Sequence, residues 1–315
     1  MIYKDILQTI GNTPSIKLRN ISINETNIYV KAEYFNPASS VKDRLAISII
    51  ENAEKNGSIK EGQTVVEATS GNTGIGLAMV CAAKNYPLVV TMPDSASMER
   101  RKLMRFLGAK VLLTPASEGG TGAYEVAKKL VLKNNWFFAR QFENEDNANI
   151  HEETTGIEIY NDFKEIGLDY WVSGYGTGGT FTGVSRTLRR KLPNTKLILT
   201  EPDVAPLLES GTKQVRNDDG SAAKSHPAWN PHPIQGWTTD FIPLVLQESI
   251  DNKYYDELIP VSGDDGLYWS HELAKKDSNI LCMLPDTAER YVSSVLFDSI
   301  DPEMNKEELN LLNSI

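Results

Sequence analysis

The 315-residue sequence has only two cysteines, Cys81 and Cys282, and four histidines, His151, His226, His232 and His271. The cysteines lie far apart and the histidines form no pair of the H-E-x-x-H kind, so no zinc-site pattern is present. Both cysteines sit in apolar contexts, Ala-Met-Val-Cys81-Ala-Ala and Ile-Leu-Cys282-Met-Leu, so buried thiols in a reducing compartment are expected. No apolar run reaches the length of a membrane span. The start, Met1-Ile-Tyr-Lys-Asp5, lacks the apolar stretch of a signal peptide. A cytoplasmic protein without a membrane partner is the expectation. Excess positive charge is missing too. With 32 Lys+Arg against 42 Asp+Glu the formal charge is -10, which excludes the clustered basic surface that binding to a nucleic-acid duplex needs. The basic run Leu188-Arg-Arg-Lys191 closes a helical pattern, where cations complement the macrodipole.

A hydrophobic fraction of 40% supports a sizeable core, and the length suits one large or two ordinary domains. Strand-like and helix-like patterns alternate. Strands are expected at 28–32, 64–68, 87–92, 110–114, 136–140, 170–173 and 196–200. Helices are expected at 44–56, 76–84, 97–107, 122–133, 149–163 and 180–192. Such alternation predicts α/β architecture with parallel sheets and helices on both faces. Residues 46–146 form one expected domain; 1–45 and 147–315 form the larger one. The Gly-, Asn-, Asp- and Pro-rich stretch from Ser210 to His232 reads as a long functional surface loop.

Two glycine-rich turns each join an expected strand to a helix: Thr69-Ser-Gly-Asn-Thr-Gly-Ile-Gly76 and Gly174-Tyr-Gly-Thr-Gly-Gly-Thr180. In parallel sheets such turns lie at the carboxyl ends of strands, and their amides and the following helix make an anion cradle. Neither contains G-K-[ST], which excludes a nucleoside-triphosphate loop. The second turn also satisfies the dinucleotide fingerprint through Gly174, Gly176 and Gly179, with Glu201 at the end of the next strand as a ribose ligand. That reading leaves the first turn unexplained, along with Asn36-Pro-Ala-Ser-Ser-Val-Lys-Asp-Arg44, where Lys42 opens a helix. A lysine at a helix start, combined with two anion cradles, suggests a Schiff base to a phosphate-bearing aldehyde cofactor.

These three motifs, with Gln141-Phe, Asn149-Ile-His-Glu-Glu-Thr-Thr-Gly156 and His232-Pro-Ile-Gln-Gly236, closely resemble the cysteine synthase and cystathionine β-synthase family of pyridoxal-phosphate enzymes. The resemblance runs from about Thr9 to Phe297 and is nearest to the cysteine synthases, or O-acetylserine sulfhydrylases. It implies a fold type II pyridoxal-phosphate enzyme with two doubly wound, three-layer α/β domains. It implies that Lys42 carries the cofactor and later removes the substrate α-proton, and that Asn72 bonds the cofactor 3′-oxygen. Gly176, Thr177, Gly178, Gly179 and Thr180 would hold the phosphate. Thr69, Ser70, Asn72, Thr73 and Gln141 would take the substrate carboxylate. The implied partners are a small amino-acid substrate and a second copy in a homodimer, with serine acetyltransferase as a further candidate.

The sequence departs from the family in one place. After the helix matching Asp264 to Lys276, members have a Gly-Ile-Ser-Ser-Gly-like turn and another helix. Here Lys276-Asp-Ser-Asn279 runs directly into Ile280-Leu-Cys-Met-Leu-Pro-Asp286. The absent turn usually carries the hydroxyl that bonds the pyridine nitrogen, and Thr287 is the nearest surviving candidate. The loss is expected to open the cofactor pocket and weaken activity. Three readings follow: a working cysteine synthase, a related β-replacement enzyme using another thiol, and a non-catalytic regulatory homologue.

Overall fold

The computed structural model describes residues 2–18, 26–264 and 279–286. Two sheets organise them. The smaller is built from β3 (Val65–Ala68), β4 (Leu88–Pro93), β5 (Lys110–Thr114) and β6 (Phe137–Phe138), all parallel, in the order β5-β4-β3-β6. The larger contains β1 (Ser15–Lys17), β2 (Asn27–Ala32), β7 (Tyr170–Gly174), β8 (Lys196–Pro202), β9 (Glu257–Val261) and β10 (Asn279–Leu284). Its order is β1-β2-β10-β7-β8-β9, and only β1 runs antiparallel.

The helices are α1 (Lys42–Asn56), α2 (Asn72–Lys84), α3 (Met98–Phe106), α4 (Gly119–Asn134), α5 (Asp146–Ile150), α6 (Gly156–Phe163), α7 (Gly179–Lys191) and α8 (Leu244–Asp251). Parallel strands buried on both faces need apolar residues on both sides of the pleat. β3 supplies them alternately. Val65 joins the cluster of Leu45, Ile49, Ile75 and Leu77 from α1 and α2, whereas Val66 and Ala68 join Tyr124 and Ala127 from α4. In the larger sheet, Trp171, Leu197, Leu199 and Leu281 pack against Phe181, Val184 and Leu188 of α7. Trp171 stacks on Phe181 with ring centroids 5.1 Å apart.

The mainly parallel α/β architecture and every expected strand are present, with several differences. α1 and α2 begin earlier than expected, at Lys42 and Asn72, which puts those polar residues inside the first helical turns. The single helix expected over 149–163 is interrupted by a π-helical turn, His151–Thr155, lying between α5 and α6. π-turns of this kind cluster at functional sites. Cys81 is buried, but Cys282 is only half-buried. The polar loop is also longer than the expected 210–232: no helix or strand intervenes between β8 and α8. Strand β10, absent from the periodicity reading, is central to its sheet, pairing with β2 on one side and β7 on the other. Residues 265–278, where the shortened connection falls, lie outside the described residues.

Among the described residues no helix is long and apolar enough to cross a membrane, and no group of three or more metal-ligating side chains occurs.

Candidate functional site

Lys42 begins α1, and the turn ahead of it is fixed by charge pairs. Arg44 is fully buried; its Nε donates to Glu33 Oε2 at 2.7 Å and its Nη1 to Glu158 Oε1 at 2.7 Å. Glu33 also accepts from Thr13 Oγ1 at 2.6 Å and Asn36 Nδ2 at 3.0 Å. Asp43 accepts the Ala38 amide at 2.6 Å. These bonds hold the Asn36–Val41 turn at both ends and leave the half-buried Lys42 side chain outside the ion-pair network. Burial lowers the Lys42 amine to about 8, against the opposing pull of Asp286 and Glu33. Such an amine has a substantial neutral fraction near neutral pH, as nucleophilic amine chemistry requires.

The carboxyl end of β10 lies against this turn. Val41 N donates to Pro285 O at 2.9 Å, and Ser40 forms a β-bridge with Asp286. From the other side, Asn72 Nδ2 donates to Asp286 Oδ2 at 2.5 Å. The turn leading into α1 and the first residue of α2 therefore meet at Asp286.

The Thr69–Thr73 turn carries mixed hydroxyl and amide groups. Thr69 Oγ1 accepts the Gly71 amide at 3.3 Å. Ser70 is exposed, and its carbonyl accepts from Arg100 Nη1 at 3.3 Å. Arg100 Nη2 reaches Gln235 of the long loop at 2.9 Å, so one arginine links that loop to the turn. Thr73 Oγ1 donates to Gln141 Oε1 at 2.6 Å. Gln141 is thus brought to the turn as expected. All five groups are neutral, so they can receive a carboxylate without placing a competing cation beside Lys42.

The Gly176–Thr180 turn opens α7. Gly178 has φ +88, in the left-handed region that favours glycine, and a side chain there would collide with Leu246. Gly176 is pressed against the Gly236 carbonyl, where a Cβ has no room. Among the described residues the amides of Gly176, Thr177, Gly178 and Thr180 donate to no protein acceptor. Free amides at the start of a 13-residue helix, flanked by two threonine hydroxyls, form an anion cradle of phosphate character.

Three residues escaped the sequence reading. Asn147 Nδ2 donates to Gln141 O at 2.8 Å and Thr177 Oγ1 at 2.9 Å, joining both turns. It lies in a run of polar residues with no distinguishing pattern. His151, in the π-turn, places its two ring nitrogens against Thr155 Oγ1 at 2.8 Å and Thr180 Oγ1 at 3.2 Å. Burial and the nearby Arg44 and Lys42 hold it well below the usual histidine range, so it is neutral. Glu67, 0% exposed, accepts the Gln141 amide at 3.2 Å; a charge inside the apolar strand Thr64-Val-Val-Glu-Ala68 was its signal. Thr287 lies outside the described residues. Glu201, the ribose ligand of the dinucleotide reading, is instead occupied internally. It accepts from Tyr175 Oη at 2.9 Å and from the amides of Leu208 and Glu209 at 3.0 and 2.9 Å.

Residues 6–283 match the family model described as pyridoxal-phosphate dependent enzyme. The O-ureido-L-serine synthase of Streptomyces lavendulae is 40% identical over 321 aligned positions, covering 95% of this chain and 94% of that protein. The cysteine synthase of Staphylococcus aureus strain Mu50 is 40% identical over 323 positions, covering 94% of this chain and 98% of its own length. Both alignments are longer than the 315-residue chain, so each sets some residues of the relative against gaps here. A crystal structure of O-ureido-L-serine synthase superposes with a TM-score of 0.86 at 38% identity, covering 98% of this chain and all of that one. With its two mainly parallel sheets, its lysine at a helix start and its paired glycine-rich turns, the chain belongs to the pyridoxal-phosphate-dependent enzymes, as a cysteine-synthase-like member with the fold type II architecture.

Proposed function

We propose that this chain replaces the β-substituent of an activated serine, most simply converting O-acetylserine and sulfide to cysteine and acetate. The observation that carries this reading is the convergence of Lys42, the Thr69–Thr73 turn with Gln141, and the Gly176–Thr180 cradle on one site.

The residues present fit pyridoxal phosphate. The unclaimed amides of the second turn suit a dianionic phosphate, and the lowered Lys42 amine suits attachment to an aldehyde. When bound, the cofactor supplies that aldehyde and a conjugated ring that takes up the electron pair left at the substrate Cα. Gly176, Thr177, Gly178, Gly179 and Thr180 hold the phosphate, and Asn72 Nδ2 offers a donor to the ring oxygen. Thr69, Ser70, Asn72, Thr73 and Gln141 orient the substrate carboxylate. Lys42 Nζ takes the α-proton, and its neutral form, more abundant as pH rises through about 8, is the competent base. His151 stays neutral beside Thr180, so it adds a hydrogen bond at the cradle and no positive charge.

A second reading keeps the same serine-derived substrate and changes the nucleophile. It is favoured by the 40% identity to a relative named for O-ureido-L-serine, and cystathionine formation is a further variant. We also assign the chain to the cytoplasm as a homodimer, with serine acetyltransferase as a candidate partner. Residues 46–146 are its smaller domain, carrying the substrate turn.

The test is to load the purified protein with pyridoxal phosphate and supply O-acetylserine with sulfide, homocysteine or hydroxyurea in turn. Cysteine as the dominant product supports the first reading, and a dominant product with either other nucleophile selects the second. Absence of acetate release with all three overturns both.

A further inference from the structure

We propose that Asp286 is a positioning residue of the cofactor site: its carboxylate selects which end of the Asn72 amide faces it and keeps a negative charge beside Lys42. The inference rests on the reading of Lys42 and Asn72 given above.

The geometry is specific. Asp286 follows β10, the strand that inserts between β2 and β7. Its backbone is bridged to Ser40, and the preceding carbonyl, Pro285 O, accepts the Val41 amide at 2.9 Å. The residue is therefore held by main-chain bonds to the turn that ends in Lys42. An ionised carboxylate only accepts hydrogen bonds, so it can pair with the Nδ2 end of Asn72 and not with Oδ1. The bond runs from Nδ2 to Oδ2 at 2.5 Å. Without the carboxylate nothing in this contact distinguishes the two amide orientations.

The charge on Asp286 has a second consequence. Among the described residues, the titratable and charged groups around Lys42 are Asp286 after β10, Glu33 after β2, His151 in the π-turn, and Asp43 and Arg44 on α1 itself. Helix α2 keeps its titratable groups, Cys81 and Lys84, at its far end. Glu33 is turned to Arg44 at 2.7 Å, and Asp43 to the Ala38 amide at 2.6 Å. His151 is neutral. Asp286 makes the larger of the two carboxylate contributions that favour the charged amine, opposing burial. Its charge therefore opposes the effect of burial and reduces the share of neutral amine at a given pH.

The experiment strips the full-length protein of cofactor and follows growth of the visible band on adding pyridoxal phosphate, between about pH 6 and pH 10. Borohydride reduction and peptide mapping then identify the modified lysine. Asp286→Asn keeps an acceptor for Asn72 and removes the charge. It should lower the pH midpoint of attachment by about 1 unit and make attachment about fivefold faster at pH 7. Asp286→Glu should keep the wild-type midpoint. Asp286→Ser serves as the neutral variant if Asp286→Asn does not fold. A pyridoxyl group on Lys42 with an unchanged midpoint in the neutral variants overturns the role of Asp286 alone. A pyridoxyl group on another lysine of the wild-type chain overturns the reading beneath it.

Discussion

Gln141 hangs from Glu67. Its backbone N–H donates to Oε2 at 3.2 Å, its side-chain Nε2 lies 3.4 Å from Oε1, and the Ala68 amide donates to that same oxygen at 2.9 Å. A fully buried carboxylate at the end of β3 thus supports the glutamine that completes the substrate turn. Burial pushes the Glu67 carboxyl up to about 8, against the opposing donation from Gln141 and Ala68.

Because this pKa is raised in the folded chain, the proton is retained there and released on unfolding between about pH 4.5 and 8. The corresponding stability is fully present below pH 4.5 and is lost as pH rises through about 8. The slope attributable to Glu67 is at most about 1.4 kcal/mol per pH unit. Glu67→Gln should flatten the fall of melting temperature with pH across that window. It should also raise KM more than it lowers kcat, since one of three N–H donors loses its acceptor. Parallel melting curves for variant and wild type would refute the assignment.

Lys42→Ala should abolish covalent attachment of pyridoxal phosphate and leave the fold intact, because the buried pairs around it belong to Arg44 and Glu33. Reduction with borohydride followed by peptide mapping should find pyridoxyl on Lys42 of the wild type and nowhere in the variant. Circular dichroism should be unchanged.

The two glycine-rich turns should separate by role. Gly178→Asp places a side chain at φ +88, against Leu246, and a negative charge at the cradle, so cofactor retention should fall by at least about tenfold. Asn72→Ala should retain most of the cofactor and blunt the spectral response to O-acetylserine. Equal cofactor loss in both, measured by absorbance after gel filtration, would remove the distinction.

Arg44→Ala should destabilise the protein by about 3–5 kcal/mol, because it leaves Glu33 buried and stripped of its cation. Glu158 remains paired with Lys31 at 3.0 Å, so the loss should centre on Glu33 and the Lys42 turn. The denaturant midpoint measures it. Arg44→Lys should recover only part, since an ammonium cannot reproduce the fork that serves both Glu33 and Glu158. A midpoint shift below about 1 kcal/mol would show that the pair is dispensable.

Much of the fold is local and was legible in the residues. Apolar periods marked the strands from β2 to β8, and the glycine-rich turn Gly174–Thr180 marked the approach to α7. Lys42 stood out as a lysine at a helix start beside such turns, and Asn72 through the family resemblance. The π-turn was not legible, because its residues continue an ordinary helical pattern and only the packing of His151 between Thr155 and Thr180 distinguishes it. Glu201 was misleading in sequence. Its spacing suits a ribose, whereas in the fold Tyr175 and two amides use the carboxylate.

The sequence by itself determined the local pieces: which segments are strands or helices, where the chain turns on glycine, and which turns offer anion-binding amides. Those depend on side-chain period and backbone freedom within a few residues. Only the tertiary structure decided that Asn72 and Asp286, 214 positions apart, share a hydrogen bond, and that Asn147 joins Gln141 to Thr177. The reason is sheet order. Strand β10 carries Asp286 to Lys42 because it inserts between β2 and β7, and that pairing is fixed by hydrogen bonds to distant strands rather than by its own short apolar run.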